Sequence, residues 1–132
     1  TVRSILDTAH HAGIPVVASS HNFQSTPTQE EILSILEKMD LMGADILKIA
    51  VMPQSRKDVV TLLSATEEMD RRTTRPLITM SMGPLGMISR LCGEVFGSSL
   101  TFGSVGKTSA PGQVAAKELA NVLKLIHESM GN

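Results

Sequence analysis

One lysine stands in the middle of a stretch that otherwise has the composition of a buried strand. Residues 45–51 are largely apolar, with Gly43 before them and Pro53 after them. A parallel strand covered on both faces is almost continuously hydrophobic, so the charge of Lys48 departs from the pattern. Removal of an ammonium from water favours its neutral form, and a neutral amine is a nucleophile that can form a Schiff base. The alternative is a structural lysine that reaches past the strand end or pairs with a carboxylate.

A histidine ends the preceding predicted strand. Residues 15–20 are typical of a strand, which delivers His21 at its carboxyl end. Histidine titrates near neutrality, so it can serve in turn as a general acid and a general base. The alternative is a histidine that is hydrogen-bonded and purely structural. The residue types leave both possibilities open.

The elements that must position these residues alternate between strand and helix. Thr26, Pro27 and Gln29 fit the N-cap, N1 and N3 positions of a capping box, and Ser55 fits the cap of a further helix. No N-cap precedes the first helix, so we expect the chain to begin inside an element. The predicted order is helix 1–12, strand 15–20, a helix opening at Thr26, strand 45–51, a helix opening at Ser55, strand 77–82, a short helix after Gly83, a weak strand 100–102, a loop 103–112 and a final helix from 115.

The spacing of the strands predicts a parallel α/β sheet. Strand starts near 15, 46, 76 and 99 suit βαβ units with right-handed crossovers. Two architectures fit this order: a small open doubly wound sheet, or half of an eight-stranded barrel. The candidate polar residues collect at the carboxyl ends of strands, where barrel active sites lie. The start inside a helix also favours the half barrel.

Composition excludes several classes of partner. The 132 residues carry 12 Lys+Arg against 13 Asp+Glu, a net charge of −1 without basic or acidic blocks, so no nucleic-acid or membrane partner is indicated. Cys92 is the single cysteine, which rules out an intrachain disulfide and favours a reducing compartment. No apolar run is long enough for a membrane span and no signal peptide is recognisable. We therefore expect a cytoplasmic protein.

Several motifs in a fixed order resemble type I 3-dehydroquinate dehydratase, from about residue 15 to the C-terminus. The matching segments are Ser20-His21-Asn22-Phe23, Ile46-Leu47-Lys48-Ile49-Ala50, Val51-Met52-Pro53-Gln54-Ser55, Ile78-Thr79-Met80-Ser81-Met82, Ile88-Ser89-Arg90, Gly93-Glu94-Val95-Phe96-Gly97-Ser98 and Ser109-Ala110-Pro111-Gly112-Gln113. The resemblance implies a (β/α)8 TIM barrel, of which residues 1–132 supply strands and helices 5–8, the C-terminal half of a single domain, with the N-terminal half absent from this chain. It also implies a lyase of the shikimate pathway of aromatic amino acid biosynthesis, which removes water from 3-dehydroquinate to give 3-dehydroshikimate and needs no metal or organic cofactor.

The resemblance assigns a role to each candidate residue. Lys48 is implied as the Schiff-base lysine and His21 as the general acid/base. Arg90 is implied as the clamp for the substrate carboxylate, although a helical arginine is ordinarily a solvated surface residue. The further substrate-binding residues implied are Ser109 and Gln113, on a loop that closes over the substrate ring, and Met80, Met82 and Phe102, which line the pocket.

The sequence departs from the family in two respects. Family members often read Ser-Asn-His-Asp-Phe where this chain has residues 19–23, so Asn22 removes a charge beside His21. The first half of the barrel, which brings a carboxylate that orients the histidine and further arginines, is missing. We therefore expect the chain alone to be inactive and to need that missing half, or a second copy, to complete the barrel, with a homodimer as the expected assembly. The alternatives are another Schiff-base barrel of the class I aldolase or transaldolase kind, and a non-catalytic structural fragment.

Overall fold

The strand that carries Lys48 is the central strand of a parallel sheet. The computed structural model describes residues 1–105 and 113–131. Its main sheet has the order β1–β2–β3, with β1 (Val17–His21), β2 (Ile46–Val51) and β3 (Leu77–Ser81) all parallel. The other elements within those residues are α1 (Val2–His11), α2 (Gln29–Leu41), α3 (Arg56–Arg72), α4 (Gly83–Phe96), β4 (Gly103–Ser104), β5 (Val114–Ala115) and α5 (Ala116–Ser129).

One face of this sheet is covered by helices. Leu47, Ile49 and Val51 alternate along β2 and are at most 1% exposed, because the apolar stripes of α2 and α3 pack against them. This core cluster contains Ile32, Leu33, Leu36, Met39, Ala44, Leu47, Ile49, Val51, Leu62, Ala65, Met69 and Leu77. The opposite face of β2, which carries Ile46, Lys48 and Ala50, is therefore the face that remains for a site. The predicted alternation across this strand is confirmed.

The helix starts were predicted with mixed success. Ser55 caps α3 as predicted, since its side chain accepts a hydrogen bond from the backbone N–H of Asp58. The cap of α2 is Thr28, and the prediction of Thr26 is wrong, because the Thr26 hydroxyl donates instead to the carbonyl oxygen of Met52 at 2.9 Å. The expectation of an uncapped first helix is also wrong, since Thr1 forms a capping box with Ser4.

The segment after α4 differs most from its prediction. Helix α4 is 14 residues long rather than short and ends at Gly97, whose φ of 102° lies in the left-handed region that suits glycine. Residues 100–102, all within the described part, are not a strand. The edge of β3 instead carries a single parallel bridge between Leu77 and Ser98, and two-residue strands β4 and β5 pair with each other. None of the helices in the described residues has the length and apolar character that crossing a membrane requires.

Candidate active site

Lys48 and His21 lie on the same face of neighbouring strands. The parallel register sets Ser19 opposite Lys48 and His21 opposite Ala50. Both side chains therefore belong to the face that α2 and α3 leave open, with His21 nearer the carboxyl ends of the strands. Lys48 is half-buried and His21 is exposed. A candidate amine nucleophile and a candidate acid/base thus share one face, as the proposed chemistry requires.

The Lys48 side chain ends beside an aromatic ring. Its Nζ atom lies 4.8 Å from the centroid of Phe102, within the range of a cation–π contact. Phe102 is 41% exposed, so the ring covers the amine from one side while part of it faces solvent. The structure therefore brings together two of the residues singled out from the sequence.

The two methionines extend the Lys48 face towards β3. Met80 lies opposite Ala50 in the register, and it is 6% exposed. Met82 follows the strand, is 2% exposed, and donates its backbone N–H to the carbonyl oxygen of Val51 at 2.8 Å. Together with Ala50 and Ile78 they form a second apolar cluster, built from strand residues and the residue that follows β3. This cluster forms an apolar surface beside the amine.

Arg90 occupies a different place. It belongs to α4 and is 2% exposed, and burial lowers the pKa of its guanidinium from its ordinary value while leaving it charged at neutral pH. It lines a pocket of about 550 Å³ between α4 and α5, together with Glu94 and His127, which pair at 2.7 Å. Neither Lys48 nor His21 is among the described residues that line this pocket. The structure therefore does not bring Arg90 and Lys48 together in one described cavity.

Helix α4 is fixed against β3 by the residues next to Arg90. The backbone N–H of Ser81 donates to the hydroxyl of Ser89 at 2.9 Å, and this hydroxyl donates to the carbonyl oxygen of Gly86 at 2.7 Å. A Cβ atom at Gly86 would lie 1.9 Å from the carbonyl oxygen of Ser81. Only glycine permits this approach of helix to strand. Ser89 and Gly86 thus set the height of Arg90 above the sheet.

The remaining candidates lie in or beside the segment after β4. Gln113 is half-buried and directly precedes β5. Ser109 lies outside the described residues. Among residues 1–105 and 113–131, no three metal-ligating side chains come together in a group that could hold a metal ion.

Sequence reasoning missed the contribution of Phe23. Its ring stacks on the imidazole of His21, with 5.8 Å between the ring centroids and 9° between the planes. No local signal was available, because Phe23 lies beyond β1, where the turn made by Asn22 sets the course of the chain.

The fold and this face together define a class of protein. A parallel α/β sheet that presents a lysine amine beside a histidine is an α/β protein with the groups needed for covalent catalysis through an amine. A family model described as Type I 3-dehydroquinase matches residues 1–130. The chain belongs to the type I 3-dehydroquinase family, and the resemblance seen in the sequence is confirmed.

Curated relatives agree with this family. The 3-dehydroquinate dehydratase of Clostridioides difficile (strain 630) is 52% identical over 130 residues, which are 98% of this chain and 51% of the relative. The 3-dehydroquinate dehydratase of Syntrophotalea carbinolica is 56% identical over 127 residues, which are 96% of this chain and 50% of the relative. The chain therefore spans about half the length of the curated relatives it matches.

Solved structures agree with the fold. The 3-dehydroquinate dehydratase of Geobacillus kaustophilus HTA426 superposes with a TM-score of 0.93 at 41% identity, covering 96% of this chain and 49% of the other. A type I 3-dehydroquinate dehydratase from Clostridium difficile, with covalent modified comenic acid, gives a TM-score of 0.93 at 53% identity, covering 97% and 51%. The α/β fold of the described residues is therefore that of type I dehydroquinases.

Proposed function

We propose that the protein to which this chain belongs dehydrates 3-dehydroquinate to 3-dehydroshikimate through a Schiff base on Lys48. The observation that carries the proposal is the placement of the Lys48 amine and the His21 imidazole on one open face of adjacent strands, in a chain of this family. A relative 53% identical to this chain has been solved with covalent modified comenic acid, which supports a covalent mode of action.

The reaction divides into steps that these two residues can perform. The free amine of Lys48 attacks the ring ketone, and loss of water gives an imine, which accepts a proton and becomes an electron sink. His21 removes the proton on the carbon beside the imine, and the resulting electron pair expels the neighbouring hydroxyl. The proton held by His21 leaves with that hydroxyl as water. Hydrolysis of the imine then releases the product ketone and restores the amine.

The other residues bind the substrate in this proposal. We assign Arg90 to the substrate carboxylate because its planar guanidinium is a fork of donors and the family resemblance gives it this role, although the pocket that it lines includes neither Lys48 nor His21. Met80, Met82 and Phe102 form the apolar wall beside the amine. Ser109 and Gln113 supply hydrogen bonds from the segment between β4 and α5.

Borohydride trapping tests the proposal. The full-length protein is incubated with 3-dehydroquinate, reduced with sodium borohydride and mapped by peptide mass spectrometry, and we expect the reduced adduct on Lys48. Lys48→Met, which preserves apolar volume, should fold and yield no adduct. A label on Lys38 or Lys57 would sink the assignment. Dehydration gives a conjugated product that absorbs in the ultraviolet, whereas an aldol cleavage does not, so a rise in ultraviolet absorbance distinguishes the two reactions.

We further propose that this chain is strands and helices 5–8 of a (β/α)8 barrel, the C-terminal half of one domain, in a cytoplasmic homodimer. Three observations support the barrel. The chain spans about half of its relatives, β1 lies at an edge of the described sheet, and Val17 on the open face is 48% exposed. An exposed strand edge pairs readily with another strand, and an exposed apolar face is usually buried in an interface. An N-terminal half or a second copy therefore completes the barrel.

Sedimentation tests this second proposal. The 132-residue chain alone should associate and lack dehydratase activity, and addition of the N-terminal half should restore activity. A monodisperse species of 14.1 kDa that melts cooperatively and turns over substrate would contradict it.

A further inference from the structure

A phenylalanine packs on the candidate base from solvent. Phe23 is 61% exposed, yet its ring lies nearly parallel to that of His21, 9° apart in plane and 5.8 Å between centroids. We propose that Phe23 is a positioning residue, which holds the His21 imidazole in the orientation that acid/base chemistry needs. This inference rests on the proposed function, because it takes His21 as the acid/base.

Phe23 belongs to neither apolar cluster of the described residues. Within those residues it keeps 61% of its surface exposed, so burial against this chain stabilises its position little. The contact it makes is instead specific to a ring, because near-parallel aromatic pairs at this centroid distance attract each other beyond simple burial.

An Asx turn at Asn22 fixes the position of the Phe23 ring. The side-chain oxygen of Asn22 accepts hydrogen bonds from the backbone N–H groups of Gln24 at 3.0 Å and Ser25 at 2.9 Å. These two bonds span Phe23 and fix the direction in which the backbone leaves β1. Asn22 therefore sets the place of the aromatic ring relative to His21.

The turn is itself attached to the neighbouring strand. The backbone N–H of Asn22 donates to the carbonyl oxygen of Ala50 at 2.8 Å, and the carbonyl oxygen of Ser25 accepts from the N–H of Met52 at 3.2 Å. Ala50 lies near the end of the strand that carries Lys48, and Met52 directly follows that strand. These two bonds therefore hold the turn that contains Phe23 beside the strand that carries Lys48.

The stack restricts the orientation of the His21 imidazole, which an exposed histidine does not have fixed. The torsion that turns an imidazole has a broad, roughly two-fold profile, so an exposed ring samples many orientations. A stacked partner restricts rotation and covers one face, while both nitrogens in the ring plane stay available for proton transfer. A base must first be within reach and aligned before its protonation matters.

The test replaces the ring while keeping its bulk. In the full-length protein, Phe23→Leu should lower kcat by about two- to tenfold with little change in KM, since loss of one aromatic contact is of this size. Phe23→Tyr retains the stack and should restore kcat. Phe96→Leu removes the same kind of ring at the opposite end of the sheet and serves as the control. Asn22→Ala should reproduce the Phe23→Leu effect by releasing the turn.

Two further readouts separate positioning from general damage. In NMR spectra, the carbon-bound ring protons of His21 should lose their aromatic ring-current shift in Phe23→Leu and keep it in Phe23→Tyr and Phe96→Leu. Borohydride trapping at Lys48 should stay unchanged in amount. Unaltered His21 ring shifts or an unaltered kcat in Phe23→Leu would overturn the inference, as would an equal loss in Phe96→Leu. Absence of dehydration by the unmodified protein would overturn the proposed function itself, and this role with it.

Discussion

The Nζ atom of Lys48 lies 4.8 Å from the centre of the Phe102 ring, although the two residues are far apart in the sequence. Lys48 is on the central strand, and Phe102 is in the segment that leads into β4. The contact is attractive, because the face of an aromatic ring carries partial negative charge. It also means that a carbonyl carbon must reach the amine from the side that the ring leaves open.

Removal of this ring should expose the amine. In Phe102→Ala, reductive methylation with formaldehyde and cyanoborohydride should modify Lys48 several-fold faster than in the unmodified protein, because the covering group is gone. Peptide mass spectrometry against time gives the rate, with exposed Lys38 as the internal standard. An unchanged ratio of the two rates would show that Phe102 does not shield Lys48.

Loss of the imidazole should slow turnover without preventing imine formation. In the full-length protein, His21→Ala is expected to lower kcat by about 10²–10⁴-fold, the usual contribution of general acid/base catalysis, while borohydride still traps substrate on Lys48. Steady-state kinetics and trapping measure the two effects. His11→Ala is the control, because His11 is exposed on α1 and its ring contacts only the carbonyl of Asp7 among the bonds described. Near-normal turnover in His21→Ala would return His21 to a structural role.

Arg90 should matter for binding more than for chemistry. In the full-length protein, Arg90→Lys keeps the charge but loses the planar fork, so we expect KM for 3-dehydroquinate to rise about tenfold or more, with a smaller change in kcat. Arg71→Lys is the control, since Arg71 is exposed and pairs with Glu67 at 2.8 Å within α3. A KM unchanged by Arg90→Lys would argue that the guanidinium does not meet the carboxylate.

Asp45 should stabilise the fold in a pH-dependent manner. The pKa of its carboxyl is lowered from 3.8, chiefly because the backbone N–H of Val16 donates to it at 2.7 Å and also because His10 bonds to it at 2.9 Å. A folded-state pKa below the unfolded one gives stability that is present above the unfolded pKa and is lost as pH falls through the folded pKa.

Urea unfolding of Asp45→Asn checks the sign. The variant should be less stable than the unmodified protein at pH 7. The difference should begin to shrink as the pH falls below about 4 and should disappear only once the pH is below the lowered folded-state pKa, where Asp45 is protonated. Asp7→Asn, an exposed change on α1, should show no such convergence. A stability difference that stays constant with pH would rule out the carboxylate as its source.

Gly86→Ala should destabilise the protein by about 1–3 kcal/mol, the usual cost of overpacking. The new Cβ would meet the carbonyl oxygen of Ser81 at 1.9 Å, so α4 must move away from β3 and carry Arg90 with it. In an unobstructed helix the same substitution would stabilise by about 0.5–1 kcal/mol, because glycine weakens helices. Thermal unfolding distinguishes the two cases. A raised unfolding midpoint (Tm) in Gly86→Ala would show that a Cβ atom fits between α4 and β3.

The strand that carries Lys48 could be predicted because its signals are local. Alternation of side chains and the flanking Gly43 and Pro53 fix its limits, and the face shared by Lys48 and Ala50 follows from period two alone. Ser55 could be predicted as a cap for the same reason, since its partner Asp58 is three residues away.

Predictions failed where contacts with residues distant in the sequence determine the local structure. Two threonines flank Pro27, and the local pattern favoured Thr26, but its hydroxyl is taken by the Met52 carbonyl and Thr28 becomes the cap. The stack of Phe23 on His21 could not be predicted either, because the course of the chain after β1 depends on the turn made by Asn22.

The order of the sheet has a consequence for how the chain acquires its structure. Each strand pairs with the next one along the chain, about thirty residues away, so each loop to be closed is short and its entropic cost is small. Ribosomes add about 5–20 residues per second, so β2 emerges when its first partner is already available, and β3 follows within seconds. The sheet can therefore assemble during synthesis in chain order, with the Lys48 strand pairing first with β1 and then with β3.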